Sequence, residues 1–381
     1  MGGGLHSTGP RSGGALLAVA IRTKRAAWLI GLLTAIGSPI AAQSGVAEPC
    51  TRVAATVPAS AREWCTQAAQ AVVSAQPQLG ILVAGGNPLL GAGRAGGGFR
   101  LGILPQASVG AKLSLAQVEL PELRTAGPTG ERLRTFAPAI SGTAMIGLFP
   151  GVSLVPMFGG IGSVDLLAQA TYLPFRAFGT DGFQEPASEL AYGAGARIGI
   201  LRESFLLPGV AVSAMYRRMA DARLGNVCQG TAQTTSTDAD QGYTLEQGAC
   251  IASADAPQAG GDAGEFRFDL RNSSLRATVS KRLALLGFAA GLGYDQWNSD
   301  IAFGFRAPAD PRYFRASDLE LSSGRWSAFG NGVLSLPFVA LALEAGWMEG
   351  GTALAGFDGA RNRFDPGSGT WFGSLGVRLS L

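Results

Sequence analysis

The final eight residues, Ser374-Leu375-Gly376-Val377-Arg378-Leu379-Ser380-Leu381, alternate strictly between apolar and polar or small side chains. Successive side chains of an extended chain point to opposite faces. Leu375, Val377, Leu379 and Leu381 therefore share one face, and Ser374, Gly376, Arg378 and Ser380 the other. A strand with one wholly apolar face needs lipid or a packed core against it. The same period of two returns in Ser108–Leu115, Ser163–Tyr172, Val210–Arg217, Phe288–Asp295 and Leu341–Trp347. Each segment alone is a weak signal, and the recurrence is what points to a barrel.

The C-terminal stretch is similar to the closing strand of Gram-negative bacterial outer-membrane β-barrel proteins. That signal runs polar, any, Gly, any, any, apolar, any, apolar, and Ser374, Gly376, Leu379 and Leu381 fill its slots, with Leu where the family most often has Phe. The resemblance covers residues 44–381 in architecture but only the last eight in motif, and it marks no subfamily. It implies residence in the bacterial outer membrane. It also implies lipid around the barrel, with the barrel-assembly machinery and periplasmic chaperones as partners during biogenesis.

The other end supports the same address. Arg22, Lys24 and Arg25 precede an apolar run over 26–36, and Ala41-Ala42-Gln43 offers small residues for cleavage. This is the pattern of a secretory signal peptide, expected over residues 1–43. Cys50 follows Val-Ala-Glu-Pro, which does not suit a lipoprotein anchor. The leader holds four basic residues and no acid, so the remainder carries 26 Lys and Arg against 27 Asp and Glu, which argues against a nucleic-acid partner. No later apolar run is long enough for a spanning helix, yet only 15% of residues are charged, against ~25% in soluble domains. An apolar chain without spanning helices suits a fold that shows every second residue to lipid.

Strands are expected near 78–86, 97–104, 107–116, 139–149, 159–173, 190–201, 208–218, 264–283, 286–306, 323–335, 338–348 and 369–381. Long connections follow the odd-numbered members and short ones the even-numbered. That is the pattern of outer loops and periplasmic turns, with both termini on the periplasmic side. The fold class is an all-β antiparallel transmembrane barrel over 78–381, of about 12 strands. Apolar parity flips near Asn272–Ser274 and near Trp297–Ser299, so bulges, or two turns giving about 14 strands, are alternatives. Tyr172, Tyr216, Trp347 and Trp371 fall near strand ends, where interfacial rings sit.

Residues 44–77 read as helix rather than strand. Ser60 and Glu63 have capping-box spacing, Trp64, Ala68 and Val72 share a helical face, and Pro77 ends the pattern. This segment is expected to plug the barrel or to sit under its periplasmic mouth. Four cysteines in an exported chain suggest two disulfides. Local pairing gives Cys50–Cys65 and Cys228–Cys250, although spacing alone permits three connectivities.

Candidate chemistry is sparse. Gly91-Ala92-Gly93-Arg94-Ala95-Gly96 spells a dinucleotide fingerprint, but Phe99–Leu104 reads as strand where a helix is required, so the stretch is a Gly-rich loop and no cofactor is expected. The lone histidine, His6, lies in the leader. Its loss removes histidine-based catalysis and metal ligation, so no enzyme and no metal site are expected. Loop 219–263 carries Asp238, Asp240, Asp262 and Glu265 beside Cys228 and Cys250, and its 229–242 stretch reads as a flexible outer loop. These acids lack the spacing of a calcium loop. The inward face is expected to carry Lys112, Asp165, Arg197, Arg217, Arg267, Asp269, Arg276, Glu344 and Arg378. Buried charge must be wet or paired, so these residues fit either a water-filled channel or a closed interior of ion pairs. The first reading makes the protein a passive channel for a small or hydrophobic solute of unknown identity. The second makes it a structural or surface-interaction barrel that displays loop 219–263.

Overall fold

Period-two segments with one apolar face cannot stand alone, because an open sheet leaves edge N–H and C=O groups unpaired. Closure solves this. The computed structural model describes residue 46 and residues 48–56, 59–89, 107–121, 132–152, 161–174, 190–240, 242–254, 261–306, 312–351 and 367–380. All belong to one compact unit, Ala42–Leu381. The expected leader, the Gly-rich loop at 91–96, the expected strand at 97–104 and Leu381 lie outside the described residues.

Two helices come first, α1 (Glu48–Thr56) and α2 (Ala59–Ala84). The strands are β1 (Ala107–Pro121), β2 (Arg132–Phe149), β3 (Ser163–Tyr172), β4 (Leu190–Leu201), β5 (Gly209–Leu224) and β6 (Thr231–Asp240). They continue with β7 (Tyr243–Ile251), β8 (Gly264–Leu283), β9 (Leu286–Arg306), β10 (Arg312–Ser335), β11 (Val339–Met348) and β12 (Thr370–Ser380). Among the described residues, β1 to β5 and β8 to β12 close in antiparallel sequence, with β12 paired to both β11 and β1. The β6–β7 hairpin is a branch: β7 pairs with the first residues of β10, and β6 pairs with no further strand among the described residues.

The closed barrel thus has ten strands rather than 12. The expected strand at 78–86 is the end of α2, which also passes the expected stop at Pro77. A short apolar run such as Leu79–Val83 carries no period, and inside a barrel it is buried all round, so strand and helix look alike. Proline removes one hydrogen bond from α2, and burial of the following turn outweighs that loss. The alternative of about 14 strands also fails. β8 and β9 pair in one unbroken register from Gly264↔Phe305 to Leu283↔Leu286, with neither turn nor bulge.

The apparent parity flips have a different cause. Nearer the short turns, the inward positions of β8 are Asn272, Ser274, Arg276, Thr278 and Ser280, and Leu275 and Val279 point out. Toward the long loops, Phe266, Phe268 and Leu270 point in and Glu265, Arg267 and Asp269 point out. β9 repeats this, with Trp297, Ile301, Phe303 and Phe305 turned inward in its upper half. The strand does not change face; its surroundings do. Below, the wall has lipid-type apolar side chains outside and polar ones inside. Above, it has water outside and α2 inside.

Outward aromatic rings mark that change. Tyr172, Tyr192 and Tyr216 on β3 to β5, and Tyr294, Trp326, Trp347 and Trp371 on β9 to β12, lie opposite one another, or one outward position apart, on neighbouring strands. Below them runs an exposed belt that includes Leu113, Ile146, Leu166, Ile198, Leu292, Leu343 and Leu375. Above them the outer face carries ion pairs, Arg218 with Asp269 at 2.9 Å and Arg271 with Asp300. Asp269 stands directly across from Asp300, an arrangement that like charges resist, and the two arginines neutralise it. Only part of the wall rises this far. β3, β4, β11 and β12 end at the aromatic level, while β5, β8, β9 and β10 continue.

Candidate functional site: a plugged lumen and its outer rim

α2 occupies the lumen, packed against β1, β2, β5, β8, β9 and β10. From Ala68 onward its side chains are buried: Ala69, Val72, Val73, Leu79, Ile81, Leu82 and Val83 join one core with the inward aromatic residues of β8, β9 and β10. Trp297 is fully buried with its indole against Gly80, where an added Cβ would overlap the ring. Only glycine lets helix and wall approach this closely.

Polar ties fix the helix in depth. Gln76 Nε2 donates to Ser299 Oγ at 2.9 Å and to the Leu321 carbonyl at 2.9 Å, and Ser323 Oγ donates to Gln76 Oε1 at 2.7 Å. Gln78 Oε1 accepts the Glu119 amide at 2.6 Å. Gln169 Nε2 donates to the Val83 carbonyl at 3.3 Å. The helix ends at Gly85, whose positive φ of 62° allows its amide to donate to the Ile81 carbonyl at 2.7 Å.

Below this end lies the charged part of the wall. Arg276 donates to the Gly85 and Gly86 carbonyls at 3.3 and 3.2 Å and pairs with Asp295 at 2.7 Å. Glu344 accepts the Asn87 amide at 2.8 Å, Asn331 Nδ2 at 3.0 Å and Ser374 Oγ at 3.2 Å. Arg217 donates to Gln169 at 2.9 Å, Asn272 at 3.1 Å and Ser274 at 2.7 Å. Lys112 Nζ lies beside Gly85 and makes no hydrogen bond to a described residue. Carbonyls at a helix C-terminus carry partial negative charge, so the gathering of Lys112, Arg217 and Arg276 there is electrostatically favourable. Asp165 and Arg197 face each other across β3 and β4, and Arg378 is buried on β12.

Seven of the nine proposed inward charges therefore point inward: Lys112, Asp165, Arg197, Arg217, Arg276, Glu344 and Arg378. Arg267 and Asp269 do not. They belong to the upper wall, where the apolar side chains face the helix and the charged ones face outward. Gln76, Gln78 and Asn87 were not anticipated, because nothing in a helix or loop sequence signals a polar partner across a lumen.

The outer rim also departs from expectation. The stretch 229–242 is not a flexible loop: it forms β6 and the turn of the hairpin, and residues 219–224 extend β5. Cys228–Cys250 ties the hairpin base and Cys50–Cys65 ties α1 to α2. α1 docks on the hairpin: Arg52 pairs with Asp238 at 3.2 Å, and its guanidinium lies 5.4 Å from the Tyr243 ring centroid. The described chain thus enters the lumen from the long-loop end. The expectation of both termini at the periplasmic side is corrected for this end, whereas β12 finishes at the short-turn end beside Ser108. Three acids of this region are engaged, Asp238 by Arg52 as above. Asp262 accepts the Asn226 amide at 2.8 Å, and Glu265 pairs with Arg315 at 3.1 Å. Burial disfavours the charged Arg315, but Glu265 and Glu246 outweigh it, so its pKa is raised. No cluster of metal-ligating side chains occurs among the described residues.

Ten closed strands, an apolar belt below an aromatic ring and a closing strand of Ser374, Gly376 and Leu379 define the class of fold: a closed antiparallel β-barrel of the outer-membrane type, with no subfamily marked. No protein-family model and no curated protein matches the sequence. Among solved structures, the chain is similar to the translocator domain of autotransporter NalP from Neisseria meningitidis, at 14% identity and TM-score 0.34, covering 82% of this chain and 98% of that one. It is also similar to the outer membrane protease OmpT from Escherichia coli, at 12% identity and TM-score 0.30, covering 73% and 96%. The toluene transporter TodX of Pseudomonas putida aligns at 9% identity and TM-score 0.28, covering 74% and 90%. The likeness is one of barrel architecture and goes no further.

Proposed function

We propose that this outer-membrane barrel is closed to solutes as folded and acts at its outer rim, as a non-enzymatic surface-interaction protein. The observation that carries this reading is the seated helix. α2 fills the upper lumen with buried apolar side chains, and Gln76, Gln78 and the Gly85–Asn87 backbone are hydrogen-bonded to the wall. A lumen filled in this way serves as scaffold. The rim presents the disulfide-tied hairpin β6–β7, with β6 exposed along its described length. An exposed strand edge offers free backbone donors and acceptors, which suits pairing with an extended polypeptide segment.

The test removes the hairpin. A chain lacking residues 229–252 is expected to fold and to open as rarely in a planar bilayer as the parent is expected to, but to lose the parent's expected adhesion to surfaces. Unchanged adhesion refutes the reading. A second reading, a passive channel, is favoured by one feature. The wall below α2 is polar and carries Lys112, Asp165, Arg197 and Arg378, as a solute path requires once the helix leaves. Steady conductance steps whose ion selectivity changes in Arg217→Glu would support the channel.

A further inference from the structure

The chain meets its own barrel from the outer end. β1 starts at the short-turn end with Ala107, paired near Ser380, so the barrel begins and finishes on that side. α2 runs the other way. Gln78 meets Glu119 high on β1, Val83 meets Gln169 on β3, and Gly85, Gly86 and Asn87 reach Arg276 and Glu344 in the lower half. α1, upstream of α2, sits on the β6–β7 hairpin through Arg52. A plug inserted from the periplasm would have its upstream end inside or below the lumen. Here that end stands above it.

We propose that the barrel delivers its own N-terminal segment to the outer face. The chain upstream of Gly85 has crossed the lumen from the periplasmic to the outer end, α2 marks the path, and α1 is surface structure. This shares its orientation with the surface-interaction reading and adds a translocation step to it.

The dimensions set the order of events. An α-helix with its side chains is about 10–12 Å across, and 26 residues of helix span about 39 Å. Among the described residues the wall closes around α2 as the one helix in the bore, whereas α1 and α2 joined by Cys50–Cys65 form a knob two helices thick. Such a knob does not fit a bore filled by one helix. The segment therefore crosses before α1 docks against α2, and the docked knob then prevents retraction. Burial of Leu79, Ile81, Leu82 and Val83 against the inward aromatic side chains favours the seated state over an extended chain in water.

Three short epitope tags test the proposal in the full-length chain on intact cells: ahead of Val46, at the hairpin tip at Gly242, and in the β8–β9 turn at Ala284–Leu285. A membrane-impermeant antibody is expected to reach the first two and not the third, while all three react after the outer membrane is opened. If the hairpin tag reacts and the Val46 tag does not, the delivery proposal is overturned and the surface reading survives. If neither reacts on intact cells, both fall. Reaction at Val46 without the hairpin contradicts the Arg52–Asp238 contact and overturns the surface reading, while supporting delivery.

Should the Val46 tag itself block crossing, the untagged chain gives an independent answer. Beyond residue 45 its only lysines are Lys112, buried in the lumen, and Lys281, bonded to the Ser204 and Phe205 carbonyls at the short-turn end. An impermeant amine reagent on intact cells is expected to label amines upstream of Val46 alone. Labelling there only after permeabilisation refutes delivery.

Discussion

Gln76 is the sharpest place to ask what holds the helix in the lumen. Its amide makes three buried hydrogen bonds, to Ser299, the Leu321 carbonyl and Ser323. Gln76→Leu keeps volume and helix propensity while deleting all three and leaving the wall groups unpaired. At about 1 kcal/mol for each bond the seated state loses about 3 kcal/mol. With about 1.4 kcal/mol per factor of ten, the unseated population rises about 100-fold. The assay is single-channel recording of refolded residues 44–381 in a planar bilayer, with heat-dependent gel mobility confirming a folded barrel. Wild type is expected to be closed with rare openings, and Gln76→Leu to open far more often. A folded Gln76→Leu barrel that opens no more often than wild type would falsify the view that these ties retain the helix.

Two further substitutions test the stability of the folded barrel with its helix seated. Arg276→Leu leaves Asp295 buried with only the Asn272 amide at 3.3 Å, so it is expected to cost about 3–5 kcal/mol in urea unfolding followed by tryptophan fluorescence. The double variant Arg276→Leu with Asp295→Asn should recover much of that loss, and no recovery would contradict the pairing argument. Ala284 sits in the β8–β9 turn with φ of 54°, a conformation that costs an L-residue about 1–2 kcal/mol. Ala284→Gly is accordingly expected to raise the urea midpoint, and a lowered midpoint would count against the strained turn.

What was legible in the sequence follows from where its alternation comes from. Segments such as Ser163–Tyr172 and Leu341–Trp347 alternate because lipid-type and lumen-type surroundings stay on fixed sides, and ten of the expected strands were found on that basis. Periodicity identifies two faces but does not say which faces water. Hence alternation alone turns Arg267 and Asp269 inward: Phe266, Phe268 and Leu270 look lipid-facing until a helix inside the barrel is known to need them. β6 was hidden for the opposite reason. Thr231–Asp240 is polar on both faces, so a solvated edge strand has the composition of a loop. The two disulfides join cysteines close in sequence, which made them accessible to local reasoning. Gln76 and Asn87 were not accessible, because their partners lie far along the chain and their roles exist only once the barrel has closed.

The change in wall chemistry halfway up the lumen makes the barrel an indexing device for the rod inside it. Were α2 to slip by one turn, about 5.4 Å, every contact would be out of phase. A slip toward the periplasm would bring Gln76 against the Trp297 indole, and a slip outward would bring Ala84 there. Gly80 is the residue that lets the indole approach the helix backbone. The first slip would also lower Leu79 and Leu82 into the company of Arg217 and Arg276. Apolar wall above and charged wall below thus define a single notch, and the helix has one depth at which it comes to rest.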